Sequence, residues 1–207
     1  MITHIGTDES GKGDFFGPLV VAGVMVDETN AKRFLDLGIK DSKKLSDKKM
    51  LSMAVEIKKH APHSVIAISN TKYNELYQNM KNLNKLLAWA HARAIENILE
   101  HNVCEYALSD KFGDESLIKS ALMKNGRAIH LEQMCKAESD IAVAAASVLA
   151  RATFVLKMQE MENKYGIAFP KGCSSLVKDA SKQFIEKYGK ARLNEVCKTH
   201  FKTYNEV

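Results

Sequence analysis

Apolar positions along the chain fall into short runs whose spacing alternates between the two-residue period of a strand and the 3.6-residue period of a helix. Ile2 and Ile5 open a first strand that ends at Asp8 and Glu9, and the continuous apolar run over residues 19–26 reads as a second, buried strand. Residues 30–37 predict a short helix. Ser46 is placed as the N-cap of another, with Met50, Ala54 and Ile57 on one face up to about Lys59. After Pro62, residues 64–68 predict a third strand, and Ser69 and Asn70 start the next helix. A longer helix follows, carrying Leu83, Leu86, Leu87, Ala90, Ala94 and Ile98 on one stripe with Trp89 at its edge. Residues 104–109 predict a fourth strand ending at Asp110, residues 115–123 a short helix, and residues 127–132 a fifth strand. The alanine-rich run from Ile141 predicts a helix buried on most sides, continuing to about Tyr165 and ended by Gly166. Beyond the loop at 171–175, Val177, Phe184, Ile185, Tyr188, Leu193 and Val196 predict a helical final part.

This order predicts an α/β fold: a mixed sheet whose first hairpin is antiparallel and whose later strands, joined by helical crossovers, are parallel. The 207 residues, 45% of them hydrophobic, suit one domain over 1–207, with its helical C-terminal part from about 166. The net charge of +5 is compatible with a polyanionic partner. The four cysteines at 104, 135, 173 and 197 form no C-x-x-C pair, which argues against a zinc ribbon or a redox pair and fits thiols in a reducing compartment. The N-terminus has no basic-then-apolar signal pattern and no apolar run approaches membrane-spanning length, so the expectation is a soluble cytoplasmic protein with no membrane partner.

Candidate chemistry concentrates in the stretch from Gly6 to Pro18, which joins the first two strands. Asp8 and Glu9 are a carboxylate pair suited to a hard cation such as Mg²⁺ or Mn²⁺, and the glycines after them allow a backbone to approach a ligand closely. The glycines at 11, 13 and 17 do not make the dinucleotide fingerprint, and the segment that follows is a strand where that motif needs a helix. No phosphate-binding G-x-x-x-x-G-K-[ST] occurs. Asp110 at the end of the fourth strand and Glu138 at the start of the alanine-rich helix can converge on the same sheet edge. Four carboxylates gathered there repel unless cations are bound, and two divalent ions about 3.5–4 Å apart suit in-line attack on a phosphodiester. Read singly, these acids have plainer roles: Asp110 could cap the following turn and Glu138 could complement a helix N-terminus. Ser10 and Ser147 have no evident His–Asp partners, and the His60/His63 pair reads as part of a solvated loop.

The motifs Asp8-Glu9-Ser10-Gly11-Lys12-Gly13-Asp14-Phe15-Phe16-Gly17-Pro18-Leu19, Asp41-Ser42-Lys43-Lys44-Leu45-Ser46, Leu108-Ser109-Asp110-Lys111-Phe112, Lys136-Ala137-Glu138-Ser139 with Ala150-Arg151, Phe169-Pro170-Lys171-Gly172 and Thr199-His200-Phe201-Lys202 resemble, in order, those of the type 2 ribonucleases H, and within them ribonuclease HIII most closely. The resemblance implies a ribonuclease H-like mixed five-stranded sheet flanked by helices. It also implies endonucleolytic cleavage of RNA in RNA–DNA hybrids, leaving 5′-phosphate and 3′-hydroxyl ends. Asp8, Glu9, Asp110 and Glu138 take the family's catalytic and metal positions, for two Mg²⁺ or Mn²⁺ ions; ribonuclease HII typically has aspartate at the last. Gly11, Lys12 and Gly13 take the place of a loop that meets ribose 2′-hydroxyls and the backbone near the scissile bond, as small residues beside a 2′-hydroxyl would allow. Lys43, Lys44, Arg151 and Lys171 are candidates for phosphate contact.

Two features depart from the family pattern. Where ribonuclease HII carries a tyrosine after Lys-Gly, this chain has Cys173 and Ser174, the latter a candidate substrate contact facing the glycine loop by homology. Weak or absent cleavage at single embedded ribonucleotides is therefore expected. The N-terminal substrate-binding domain typical of ribonuclease HIII is expected to be missing. A monomeric enzyme is expected; the alternatives are a ribonuclease HII-like enzyme that cuts at single ribonucleotides, and a non-catalytic hybrid-binding module.

Overall fold

The computed structural model describes residues 2–39 and 45–207. A mixed five-stranded sheet has the order β3-β2-β1-β4-β5, from β1 (His4–Ser10), β2 (Leu19–Val26), β3 (His63–Ile68), β4 (Tyr106–Asp110) and β5 (His130–Met134). The helices are α1 (Glu28–Asp36), α2 (Asp47–His60), α3 (Asn70–Met80), α4 (Leu83–Leu99), α5 (Glu115–Ala121), α6 (Ile141–Tyr165), α7 (Ser175–Tyr188) and α8 (Lys202–Glu206). β1 pairs with β4, and β4 with β5, both in parallel, as helical crossovers require. The caps lie where short polar side chains predict them: Ser46 accepts from the Lys49 N–H and Ser69 from the Lys72 N–H.

The chain forms two compact units. The first comprises Met1–Glu9, Val21–Ile66 and Asn82–Ala152, the second Ser10–Val20, Ala67–Lys81 and Thr153–Val207. In the first unit, the strict alternation of β1 and β4 sorts side chains between two faces. Ile5 and Ala107 point to one face and pack with Ala88, Ala92 and Ile95 of α4 and with Leu131 of β5. Leu108 points to the other and packs with Ala137 and Val143 at the start of α6. Gly6 shares that second face, and a Cβ on it would lie 2.2 Å from the Ala142 carbonyl carbon and the Val143 nitrogen. The first turn of α6 therefore rests on β1 where there is no side chain.

Two features differ from the sequence expectation. The fifth strand begins at His130 and not at 127, because Gly126–Ala128 winds into a 3-10 turn. Its organiser is Glu96, buried on α4, whose carboxylate accepts from the Met123, Asn125 and Gly126 N–H groups at 2.6, 3.1 and 2.7 Å. A buried carboxylate needs such donors, and they bend this segment out of a strand. The second difference concerns α6. Among the described residues it is the one helix long and apolar enough to cross a membrane by length and composition, a property its mixture of alanines and scattered polar residues hides. Two thirds of its most apolar window is buried inside the protein, as a core helix requires.

In the second unit an aromatic chain forms the core: Phe15 meets Phe16 edge to face at 4.9 Å, Phe16 meets Phe169 at 4.9 Å, and Phe184 meets Phe169 at 6.2 Å and Tyr165 at 5.2 Å. Gly166, at φ 62°, ends α6 as its sequence predicts. The four cysteines are free thiols.

Candidate active site

Asp8 and Asp110 are brought together by register. Thr7 is the β1 partner of Ser109, so the next residues along the two parallel strands are Asp8 and Asp110, on neighbouring strands. Alternation places both on the face covered by α6, with Gly6 and Leu108. Asp110 Oδ1 accepts from the Ala137 N–H at 3.1 Å, which ties the end of β4 to the residue before Glu138. Glu138 is half-buried in a 3-10 turn, Ala137–Ser139. This corrects the expectation that Glu138 starts the long helix. Asp140 does so: its Oδ1 accepts from the Ala142 and Val143 N–H groups at 2.9 and 3.1 Å, and its carboxylate meets His4 Nε2 at 2.9 Å.

Glu9 follows Asp8 and therefore points to the opposite face, toward α4. There its Oε2 lies 3.3 Å from Nε2 of His91. His91 is fully buried, its Nδ1 lies 2.9 Å from the Thr7 hydroxyl, and its ring stacks on Phe112 at 4.8 Å. One imidazole thus engages two residues of β1, one of them a candidate ligand. The sequence reading missed it; the available signal was a histidine inside the apolar stripe of α4, one turn after Leu87, where burial demands a polar partner. Ser147 of α6 was likewise missed in this capacity: its hydroxyl bonds the Asp8 carboxylate.

Electrostatically the strand end is overcharged. The Asp8 carboxyl is raised to about 6, first by burial and then by the negative charge of Glu9, and the Ser147 bond, the Glu9 N–H at 2.8 Å and His91 only partly oppose this. The donors are all carboxylate oxygens, the chemistry hard divalent cations prefer, and a cation would offset the burial and the Glu9 charge that raise Asp8. The residues therefore fit such ions. Among the described residues no three His, Cys, Asp or Glu side chains already converge on one ion position. The acids stand in two stretches tied by backbone N–H groups: the Glu9 N–H donates to Asp8, and the Ala137 N–H, one residue before Glu138, donates to Asp110.

The other candidates divide by unit. Arg151, on α6 in the first unit, lies 3.6 Å from Asp47. Lys43 and Lys44 lie outside the described residues. Gly11, Lys12, Gly13, Lys171 and Ser174 belong to the second unit. Within it the glycine loop and the 171–174 loop are joined: the Gly172 N–H donates to Asp14 Oδ1 at 2.7 Å, the Phe15 N–H to the Gly172 carbonyl at 3.1 Å, and the Cys173 thiol to the Gly13 carbonyl at 3.4 Å. Gly11 takes φ 86°, and a Cβ there would meet the Pro18 carbonyl oxygen at 2.2 Å, so only glycine fits. Gly13, by contrast, is exposed with open space around it.

Comparison with known proteins agrees with the fold. The family model described as Ribonuclease HII matches residues 5–204. A ribonuclease HIII of Chlamydia felis (strain Fe/C-56) is 46% identical over 99% of this chain and 69% of its own length, and one of Protochlamydia amoebophila (strain UWE25) is 44% identical over 99% and 68%. The crystal structure of Bst-RNase HIII in complex with Mn²⁺ superposes with a TM-score of 0.91 at 31% identity, over 99% of this chain and 68% of that one. With its acids at the ends of β1 and β4 and its mixed five-stranded sheet, the chain belongs to the ribonuclease HII family, as a ribonuclease H enzyme whose similar curated relatives are ribonucleases HIII.

Proposed function

We propose that the chain cuts the RNA strand of RNA–DNA hybrids by two-metal phosphodiester hydrolysis, leaving 5′-phosphate and 3′-hydroxyl ends. The observation that carries this reading is the adjacency of Asp8 and Asp110 on one sheet face, with the Glu138 turn bonded to Asp110 through Ala137. Asp8, Glu9, Asp110 and Glu138 would hold two Mg²⁺ or Mn²⁺ ions, which when bound would activate water and stabilise the leaving oxygen. In that step a water oxygen would bond to phosphorus, the P–O3′ bond would break, and the 3′-oxygen would leave with the proton the water gives up. Around that step the chain positions its carboxylates: Ser147 bonds Asp8, His91 fixes Glu9, and the Ala137 N–H fixes Asp110. Gly11, Lys12 and Gly13 would meet the ribose, with Arg151, Lys171, Ser174 and Lys43 on the substrate backbone. The enzyme would act as a cytoplasmic monomer.

Asp110→Asn tests the assignment. It should lower kcat on a hybrid by at least about 10³-fold while hybrid binding measured in chelator stays near wild type. Cutting at the wild-type rate would remove the four-acid site. A ribonuclease HII-like preference is the competing reading, favoured by the family model that matches the chain. A duplex with a single ribonucleotide, run beside one with a long RNA tract, separates the two; with Cys173-Ser174 in place of a tyrosine, the tract should be cut far faster.

A further inference from the structure

The glycine loop is fastened by a residue that the proposed chemistry does not use. Lys198 is fully buried, and its ammonium donates to the carbonyl oxygens of Asp14 at 2.8 Å and Gly17 at 2.7 Å. Its backbone N–H donates to the Phe15 carbonyl at 2.9 Å, the Gly17 N–H donates to the Val196 carbonyl at 3.1 Å, and Phe16 bridges Cys197 in antiparallel fashion. Residues 15–17 and 196–198 thus form a short ladder, and the side chain of Lys198 reaches back across it to both ends of the 14–17 turn. The Tyr73 ring lies 5.5 Å from Nζ, and Asn70 Nδ2 donates a second bond to the Gly17 carbonyl at 2.8 Å.

The lysine segment is itself held in place. Asn74 Nδ2 donates to the Asn194 and Cys197 carbonyls at 3.2 and 3.0 Å, and its Oδ1 accepts from the Thr199 N–H at 3.0 Å. A charged lysine is rarely buried so fully. Burial draws its pKa down to about 8, with the nearby Asp14 charge opposing, so it is still mainly protonated at neutral pH. Its use of that charge is geometric. Several donors on one nitrogen gather two carbonyls at once, whereas an apolar side chain would take this donor from Asp14 and leave the Gly17 carbonyl to Asn70 alone.

We propose that Lys198 is the positioning residue of the substrate loop, its ammonium closing the Asp14–Gly17 turn so that Gly11-Lys12-Gly13 is presented to the ribose in one conformation. This rests on the reading of the glycine loop as the ribose contact. The test uses the full chain and two RNA–DNA duplexes, one with an uninterrupted RNA tract and one with a single 2′-deoxy substitution beside the cut. Wild type should lose at least about tenfold in kcat/KM on the substituted duplex. Lys198→Met should cut the uninterrupted tract about tenfold or more less efficiently, and its penalty for the 2′-deoxy change should shrink to within about twofold. Lys198→Arg, which keeps donors at the turn, should restore part of the penalty. Equal losses on both duplexes, with the wild-type ratio preserved, would mean a merely structural lysine and overturn the proposal. A wild type indifferent to the 2′-deoxy change would instead sink the ribose reading itself. If Lys198→Met does not fold, wild-type protein labelled with ¹⁵N-lysine decides: the buried ammonium should give a slowly exchanging resonance that shifts when uncut hybrid is added in chelator, and an unmoved resonance would refute the coupling.

Discussion

Asp8 costs the metal-free protein stability. Its carboxyl is raised to about 6 by burial and by Glu9, so the folded state holds a proton more tightly than the unfolded chain does. For a raised acid, the associated stability is fully present below the unfolded value near 3.8 and is lost as pH rises through about 6. Asp8→Asn should therefore stabilise the chelated protein at pH 8 by about 1–3 kcal/mol and have little effect at pH 4. Thermal melts of both proteins in chelator at the two pH values check this, and destabilisation at pH 8 would contradict it. Much at this scale was legible in the sequence, because adjacent acids between two apolar runs need a reason. His91 was not, since its meaning lies in the partner across the sheet, 84 residues away in the chain at Thr7. Lys198 likewise reads as one more surface base until its burial is seen.

At the scale of elements, two glycines near the site make opposite demands. Gly6 lets α6 close on β1, and Gly6→Ala forces a Cβ against backbone 2.2 Å away; overpacking of this kind should cost about 2–4 kcal/mol in denaturant unfolding. Gly13 has open space and an ordinary φ, so Gly13→Ala should change stability by less than about 0.5 kcal/mol while probing substrate contact. The start of α6 also carries a pH signature. The bond to Asp140 raises the His4 pKa, with burial opposing. Burial would raise Asp140, yet the His4 bond and the two helix N–H groups bring it below the usual carboxylate value. The contribution of the raised His4 is complete below about 6.5 and fades as pH rises through its folded value; that of the lowered Asp140 is complete above about 3.8 and fades as pH falls. Asp140→Ala should therefore be most destabilising between about pH 4 and 6.5, by about 1–3 kcal/mol, and less so at pH 8.5. A cost independent of pH would show that capping alone matters. The caps and the apolar periods made these elements legible. The 3-10 turns at Gly126 and Ala137 were not, because each is dictated by a carboxylate elsewhere in the chain, Glu96 or Asp110.

For the whole molecule, the parallel pairing of β1 with β4 and of β4 with β5 follows from the helical crossovers, while the placing of the candidate acids follows from the pleat. Consecutive residues on β1 face opposite ways, so Asp8 is tended by Ser147 of α6 and Glu9 by His91 of α4. The sheet works as a partition between two workshops, each touching one carboxylate, yet the charges of Glu9 and His91 both act on Asp8. Changes on the two sides should therefore be coupled. Ser147→Ala and His91→Gln should each lower kcat/KM, and the double variant should depart from the product of the two factors by a coupling of at least about 0.5 kcal/mol; a smaller coupling would contradict the link through Asp8 and Glu9. A drifting lineage, or a designer, would therefore have to retune Asp8 through α6 and Glu9 through α4 together, because a change behind one carboxylate resets the best setting of the other.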